Sequence, residues 1–154
     1  MTPTPAPFTL TSSAFKDGGA LPRAITCDGA DRSPPLAWSG VPAGTMALVL
    51  VVDDPDARDF THWTVLDLPA GATESLPAGV SPMSDTVSQG RNDFGKVGWG
   101  GPCPPSGTHH YRFTLSALAA PLHLSGHPDG DAVRSALRSA HVLGRTRLTG
   151  TYHR

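Results

Sequence analysis

The sequence predicts a mainly β fold of antiparallel strands with one helix late in the chain. Three observations carry this. Gly 17 and Pro 16 make up about a fifth of the 154 residues, above ordinary usage but below the level of a disordered chain. The apolar runs between the Gly/Pro clusters are strand-sized and rich in β-branched residues. Only one stretch, near residues 130–141, spaces its apolar residues as a helix does.

The elements follow in order. Phe8-Thr9-Leu10-Thr11 begins a short strand, and Lys16-Asp17-Gly18-Gly19 is a turn because paired glycines accept positive φ. Ser33-Pro34-Pro35 forces an extended path into Leu36-Ala37-Trp38-Ser39. Met46 to Asp53 is a continuous apolar run that suits a central strand buried on both faces. Thr61 to Leu68 is the next strand; strict alternation puts His62, Thr64, Leu66 and Leu68 on one face and Trp63, Val65 and Asp67 on the other. Residues 81–101 form a long segment of few apolar residues, a length at which loops are functional or mobile. Tyr111 to Leu118 is a strand with Tyr111, Phe113, Leu115 and Ala117 on one face. Asp129 and Asp131 offer an acidic, cap-competent start to a helix over 132–141, with Val133, Ala136, Leu137 and Ala140 on its apolar stripe and Gly144 as its stop. Arg145 to Tyr152 alternates and closes the fold as a last strand. Many strands and one late helix give an antiparallel β domain with a helix on its flank. Residues 1–7 read as a mobile Pro-rich arm, and 8–154 as one domain.

Composition excludes several roles. The net charge is −1 and no basic block occurs, so nucleic acid is not an expected partner. The glycines of residues 90–101 are not followed by Gly-Lys-Ser/Thr, so no phosphate-binding loop is read there. No apolar run approaches the ~20 residues of a membrane span. The N-terminus has neither the basic nor the apolar region of a signal peptide, which argues for the cytoplasm. In that setting Cys27 and Cys103 are expected as two reduced thiols. No cofactor or metal is expected.

Two junctions concentrate chemistry. In the first, Asp54 and Asp56 flank Pro55 ahead of His62 and Trp63, and the two carboxylates could converge on one site. In the second, the stiff loop Gly101-Pro102-Cys103-Pro104-Pro105-Ser106-Gly107 runs into His109, His110 and Tyr111. Strand alternation puts His109 and Tyr111 on one face, donors suited to an oxyanion, and sends His110 to the other. A metal-dependent hydrolase using His62, His109 and Asp54 is the alternative that these residue types allow.

Asp54-Pro55-Asp56-Ala57 with His62-Trp63, and Gly101-Pro102-Cys103-Pro104-Pro105 with Gly107, His109 and Tyr111, resemble the two signatures of the phosphatidylethanolamine-binding proteins. Phe15 to Gly19, Cys27-Asp28-Gly29, Ser33 to Trp38 and Asn92 to Gly95 are similar to the bacterial branch, the Raf kinase inhibitor-like proteins. The resemblance runs from about Phe8 to the C-terminus. It implies a large antiparallel sheet packed with a smaller sheet and a peripheral helix. It also implies a non-enzymatic surface pocket for phosphate, acetate or phosphoethanolamine, lined by Asp54, Asp56, His62, Cys103, Pro104, Pro105, His109 and Tyr111. A kinase or protease partner and a homodimer are further implications of the resemblance; nothing in the chain alone demands them. Arg58 stands where the family usually has proline, often after a cis bond, so a differently shaped rim is expected at Arg58-Asp59-Phe60.

Overall fold

Two sheets and one helix form the fold in the computed structural model, which describes residues 6–71 and 73–154. The arm expected over residues 1–7 falls largely outside the described residues. The large sheet has six strands: β2 (Gly19–Ala20), β4 (Ala47–Asp54), β5 (Phe60–Pro69), β7 (Ser88–Gln89), β8 (Thr108–Leu118) and β9 (Val142–His153). They lie in the order β2-β9-β8-β4-β5-β7, antiparallel except where β2 pairs with β9. The small sheet is β1 (Thr9–Thr11), β3 (Leu36–Ser39) and β6 (Ser75–Leu76), in the order β1-β3-β6. The outermost strand at each of the four sheet edges is only two or three residues long.

Strand β4 is buried along its whole length because both faces are covered. Leu48, Leu50 and Val52 point into the main core, which the small sheet closes with Leu10, Leu36, Trp38 and Leu76. Val49 and Val51 point the other way, toward Val133 and Leu137 of the helix α1 (Gly130–Ser139). On β8, Tyr111, Phe113, Leu115 and Ala117 share the main-core face, as their alternation requires. Phe113 has no exposed surface and packs between Phe15 and Trp99, so Phe113→Ala would cost about 3–5 kcal/mol.

Strand β5 departs from strict alternation. Its pairing with β4 slips by one residue twice, once opposite Val49 and once at His62. At the first slip Asp67 takes a left-handed conformation with φ 51°, and Leu68 rejoins Trp63 and Val65 in the main core while Leu66 stays on the helix side. At the second, His62 is the extra residue between Thr61, opposite Asp53, and Trp63, opposite Val52. The bulge re-aims the imidazole toward Tyr111, with ring centroids 5.2 Å apart.

The helix is capped by Asp129, whose carboxylate accepts from the Ala132 N–H at 2.9 Å. It does not run on to Gly144. Ala140 is already extended, and β9 begins at Val142 with Gly144 inside it, where a Cβ would press on Pro42. The expected pair of reduced thiols is also corrected: Cys27 and Cys103 form a disulfide, with Cα atoms 5.4 Å apart. A sequence separation of 76 hides a closeness that the fold creates when the Cys27 N–H donates to the Pro102 carbonyl at 3.1 Å. Residues 81–101 are irregular but firmly tied. The Asn92 side chain accepts from the N–H groups of Phe94 and Lys96 and donates to the Gly98 carbonyl.

Candidate ligand pocket

A pocket of about 180 Å3 opens at the end of β4, β5 and β8. The end of β4 and the turn after it supply Asp54 and Ala57, β5 supplies Phe60 and His62, and β8 supplies His109 and Tyr111. The Cys103-Pro104-Pro105 loop forms one wall and Phe94 another. The proline pair restricts that loop to few conformers, and the disulfide ties it to Cys27.

Asp54 is buried and both of its carboxylate oxygens are committed. Oδ1 accepts from the Asp56 N–H at 2.8 Å, and Oδ2 accepts from His109 Nδ1 at 2.6 Å. His109 Nδ1 therefore carries a proton, and Nε2 is the ring nitrogen left without a partner among the described residues. His62 is held in the same way: Nδ1 lies 2.6 Å from the Gly100 carbonyl, which can only accept, so Nδ1 donates and Nε2 is free. Burial pushes the His62 pKa below the usual histidine value, against the opposing pull of the Gly100 carbonyl and Asp54, so the ring is neutral at neutral pH. The Tyr111 hydroxyl has no hydrogen-bond partner among the described residues, although the side chain is 1% exposed. Burial pushes its pKa well above the ordinary phenol value, so it remains an O–H donor.

Seven of the eight residues expected at the site line this pocket: Asp54, His62, Cys103, Pro104, Pro105, His109 and Tyr111. Asp56 does not. Its Oδ2 turns outward and accepts from both the N–H and Nδ1 of His110 at 2.8 Å, so the two carboxylates do not converge. The hydrogen bond from the His110 ring is the largest cause holding the Asp56 pKa low. Among the described residues no group of three His, Cys, Asp or Glu side chains is placed to hold a metal.

Four residues at the site lie outside the eight expected: Ala57, Phe60, Phe94 and Gly100. Phe60 and Phe94 meet edge to face with centroids 4.8 Å apart and pack on His62, forming an apolar wall. Gly100 fixes the His62 tautomer through its carbonyl. Phe94 is a large apolar residue in a Gly-rich polar segment, the signal that could have marked it; Gly100 carries no such signal. The rim at Arg58-Asp59 turns through two consecutive left-handed residues, φ 54° and 58°, and no cis peptide occurs among the described residues. Asp59 is held there by Arg112 and Arg134, which both also bind the buried Asp53.

Fold and site together define a two-sheet β protein with a small, partly apolar pocket that presents two imidazoles and a phenol. Residues 11–153 match the family described as phosphatidylethanolamine-binding protein. The UPF0098 protein of Methanothermobacter thermautotrophicus is 44% identical over 151 residues, covering 94% of this chain and 98% of its own. A Mycobacterium tuberculosis relative that carries a lipoprotein name, LppC, is 41% identical over 157 residues, covering 98% of this chain and 76% of its own. The crystal structure of Escherichia coli YbcL, described as a new member of the mammalian PEBP family, superposes with a TM-score of 0.88 at 34% identity, covering 97% of this chain and 99% of that one. The chain belongs to the phosphatidylethanolamine-binding protein family.

Proposed function

We propose that this protein is a non-enzymatic binding protein whose pocket takes a small anion or phospho-headgroup. The observation that carries the reading is the hydrogen-bond inventory of the pocket. Both imidazoles spend Nδ1–H on protein acceptors, and the Tyr111 hydroxyl is free. The two Nε2 atoms accept when the rings are neutral and donate when they are charged. A bare, fully deprotonated anion would face the Nε2 lone pair of the neutral His62. A ligand that carries its own O–H beside its negative oxygens, such as the monohydrogen phosphate group, complements an acceptor imidazole and a donor phenol at once. Binding is therefore coupled to protons. The metal-dependent hydrolase using His62, His109 and Asp54 fits less well, because the Asp54 carboxylate already orders His109 Nδ1 and the Asp56 N–H.

His109→Asn tests this reading. The asparagine Nδ2–H can take the place of imidazole Nδ1–H on Asp54, so the buried carboxylate keeps a donor while Nε2 is lost. Phosphate affinity measured calorimetrically should fall about ten-fold or more, since a hydrogen bond to a charged group is worth about 1.5–3 kcal/mol. Unchanged affinity in a variant that still melts cooperatively would place the binding site elsewhere. Inhibition of a kinase or protease is a further expectation of this reading, checked by inhibition assays with the purified protein. The disulfide favours an oxidising compartment over the expected cytoplasm, and the lipoprotein name of one relative agrees. No helix among the described residues is long and apolar enough to cross a membrane.

A further inference from the structure

A second groove, of about 400 Å3, adjoins the pocket and shares two of its walls, Phe94 and Cys103. Its floor is the backbone of Gly100 and Gly101. A Cβ on Gly100 would run into the Phe94 ring, and one on Gly101 into the Asp31 carboxylate, so the groove depends on both being glycine. The groove carries one group of each charge. Asp31 is fixed in place because its Oδ1 accepts from the Gly101 N–H at 2.8 Å, while Oδ2 has no partner among the described residues. Lys96 is pinned through its backbone, which donates to Asn92 Oδ1 and accepts from the Asn92 N–H at 2.7 Å. Its ammonium has no hydrogen-bond or ion-pair partner among the described residues. Gly100 links the two cavities, since its carbonyl accepts from His62 Nδ1 at the pocket and its N–H donates to the His62 carbonyl.

We propose that pocket and groove form one two-part site, in which the pocket takes a phosphate and the groove takes the zwitterion of an O-phosphorylated serine. The α-ammonium would pair with Asp31 and the α-carboxylate with Lys96, while the phosphate lies against His62, His109 and Tyr111. The chemistry is complementary group by group. An alcohol without charge would leave Asp31 and Lys96 unused, and phosphoethanolamine would engage Asp31 alone. The two cavities share the walls formed by Phe94 and Cys103, and in phosphoserine only a few bonds separate the phosphorus from the amino-acid charges. Phosphoserine as a free monoester and phosphoserine as a lipid headgroup offer the same amino-acid zwitterion; the diester adds a glycerol and lacks the ionisable P–OH of the monoester. This inference rests on the anion pocket proposed above.

The test is calorimetric titration of the full chain with inorganic phosphate, phosphoethanolamine, O-phospho-L-serine and glycerophosphoserine, at one pH and low salt. In the wild type, phosphoserine should bind about three- to ten-fold tighter than inorganic phosphate, the range expected for two partly exposed ion pairs. Lys96→Gln should reduce phosphoserine affinity about three-fold and leave inorganic phosphate and phosphoethanolamine unchanged. Asp31→Asn, which keeps an oxygen for the Gly101 N–H, should weaken phosphoserine and phosphoethanolamine but not phosphate. Glycerophosphoserine binding as tightly as phosphoserine would support a headgroup source, and weaker binding a free monoester. Phosphoserine binding no tighter than phosphate in the wild type would overturn this inference while the pocket stands. Equal loss for all ligands in Lys96→Gln would also overturn it. Failure of every ligand, inorganic phosphate included, would overturn the pocket and the two-part site together.

Discussion

Reducing the Cys27–Cys103 disulfide should lower stability and loosen the pocket together, because the bond ties a pocket wall to the Cys27 loop. The bond closes a span of 76 residues, for which the chain-entropy relation gives roughly 4.5 kcal/mol of destabilisation of the unfolded chain. Residual structure in the unfolded chain and native contacts that outlast the bond reduce this, so about 2–4 kcal/mol is expected. Several such contacts exist. The Cys27 N–H donates to Pro102, the Gly107 and Arg154 backbones exchange two hydrogen bonds, and the Arg154 guanidinium pairs with Asp28 beside both sulfurs. At about 2–4 °C per kcal/mol for a chain of this size, the melting temperature should fall by about 5–15 °C. The assay is thermal unfolding by circular dichroism, comparing oxidised protein, reduced protein and the Cys27→Ser/Cys103→Ser double variant. Phosphate affinity should fall in the two unlinked forms, since Cys103, Pro104 and Pro105 then lose their tether. Identical melting temperatures in all three, or two free thiols in oxidised denatured protein, would refute the reasoning.

Three further outcomes follow from particular residues. Arg58→Gly should stabilise the fold by about 1 kcal/mol, because Arg58 is exposed, holds φ 54° and has no side-chain partner among the described residues; chemical denaturation would show it. The buried His62 prefers neutrality, so as pH falls the unfolded chain takes up a proton that the folded one refuses. Its contribution to stability is complete above the unfolded histidine value of about 6.5 and is lost as pH falls from there toward the lower folded value. His62→Asn, which can still donate to Gly100, should flatten the loss of stability below pH of about 6.5 relative to wild type. Gly130→Ala should destabilise by about 1–3 kcal/mol, because the added Cβ would strike the Thr61 side chain beneath the helix start; thermal melts would detect it.

Strong local signals made most of the fold legible. The β-branched run at Met46–Asp53, the alternation from Tyr111 and the Asp129 cap all correspond to elements of the structure. Strands β2, β6 and β7 have two residues each, too few for any periodicity to register. The bulges in β5 were invisible because alternation assumes one residue opposite one residue; a single inserted residue reverses every face beyond it. Gly144 is not the helix stop its position suggests, because glycine serves two purposes, and here the close approach of Pro42 is the one that applies. At the site, the proline loop and the histidine–tyrosine pair could be read from chain order. The disulfide, Gly100 beneath His62 and the outward turn of Asp56 toward His110 depend on contacts between residues 38 or more apart.

Imidazole NMR of the wild-type protein during a phosphate titration tests the central claim most directly. The ring nitrogens of His62 and His109 should shift together along one binding curve, with the Nε2 signals moving most because each Nδ1 is already bonded to Gly100 or Asp54. His110, paired with Asp56 outside the pocket, should move far less. Saturable shifts confined to His110 and the other exposed histidines, with His62 and His109 unmoved, would contradict the account.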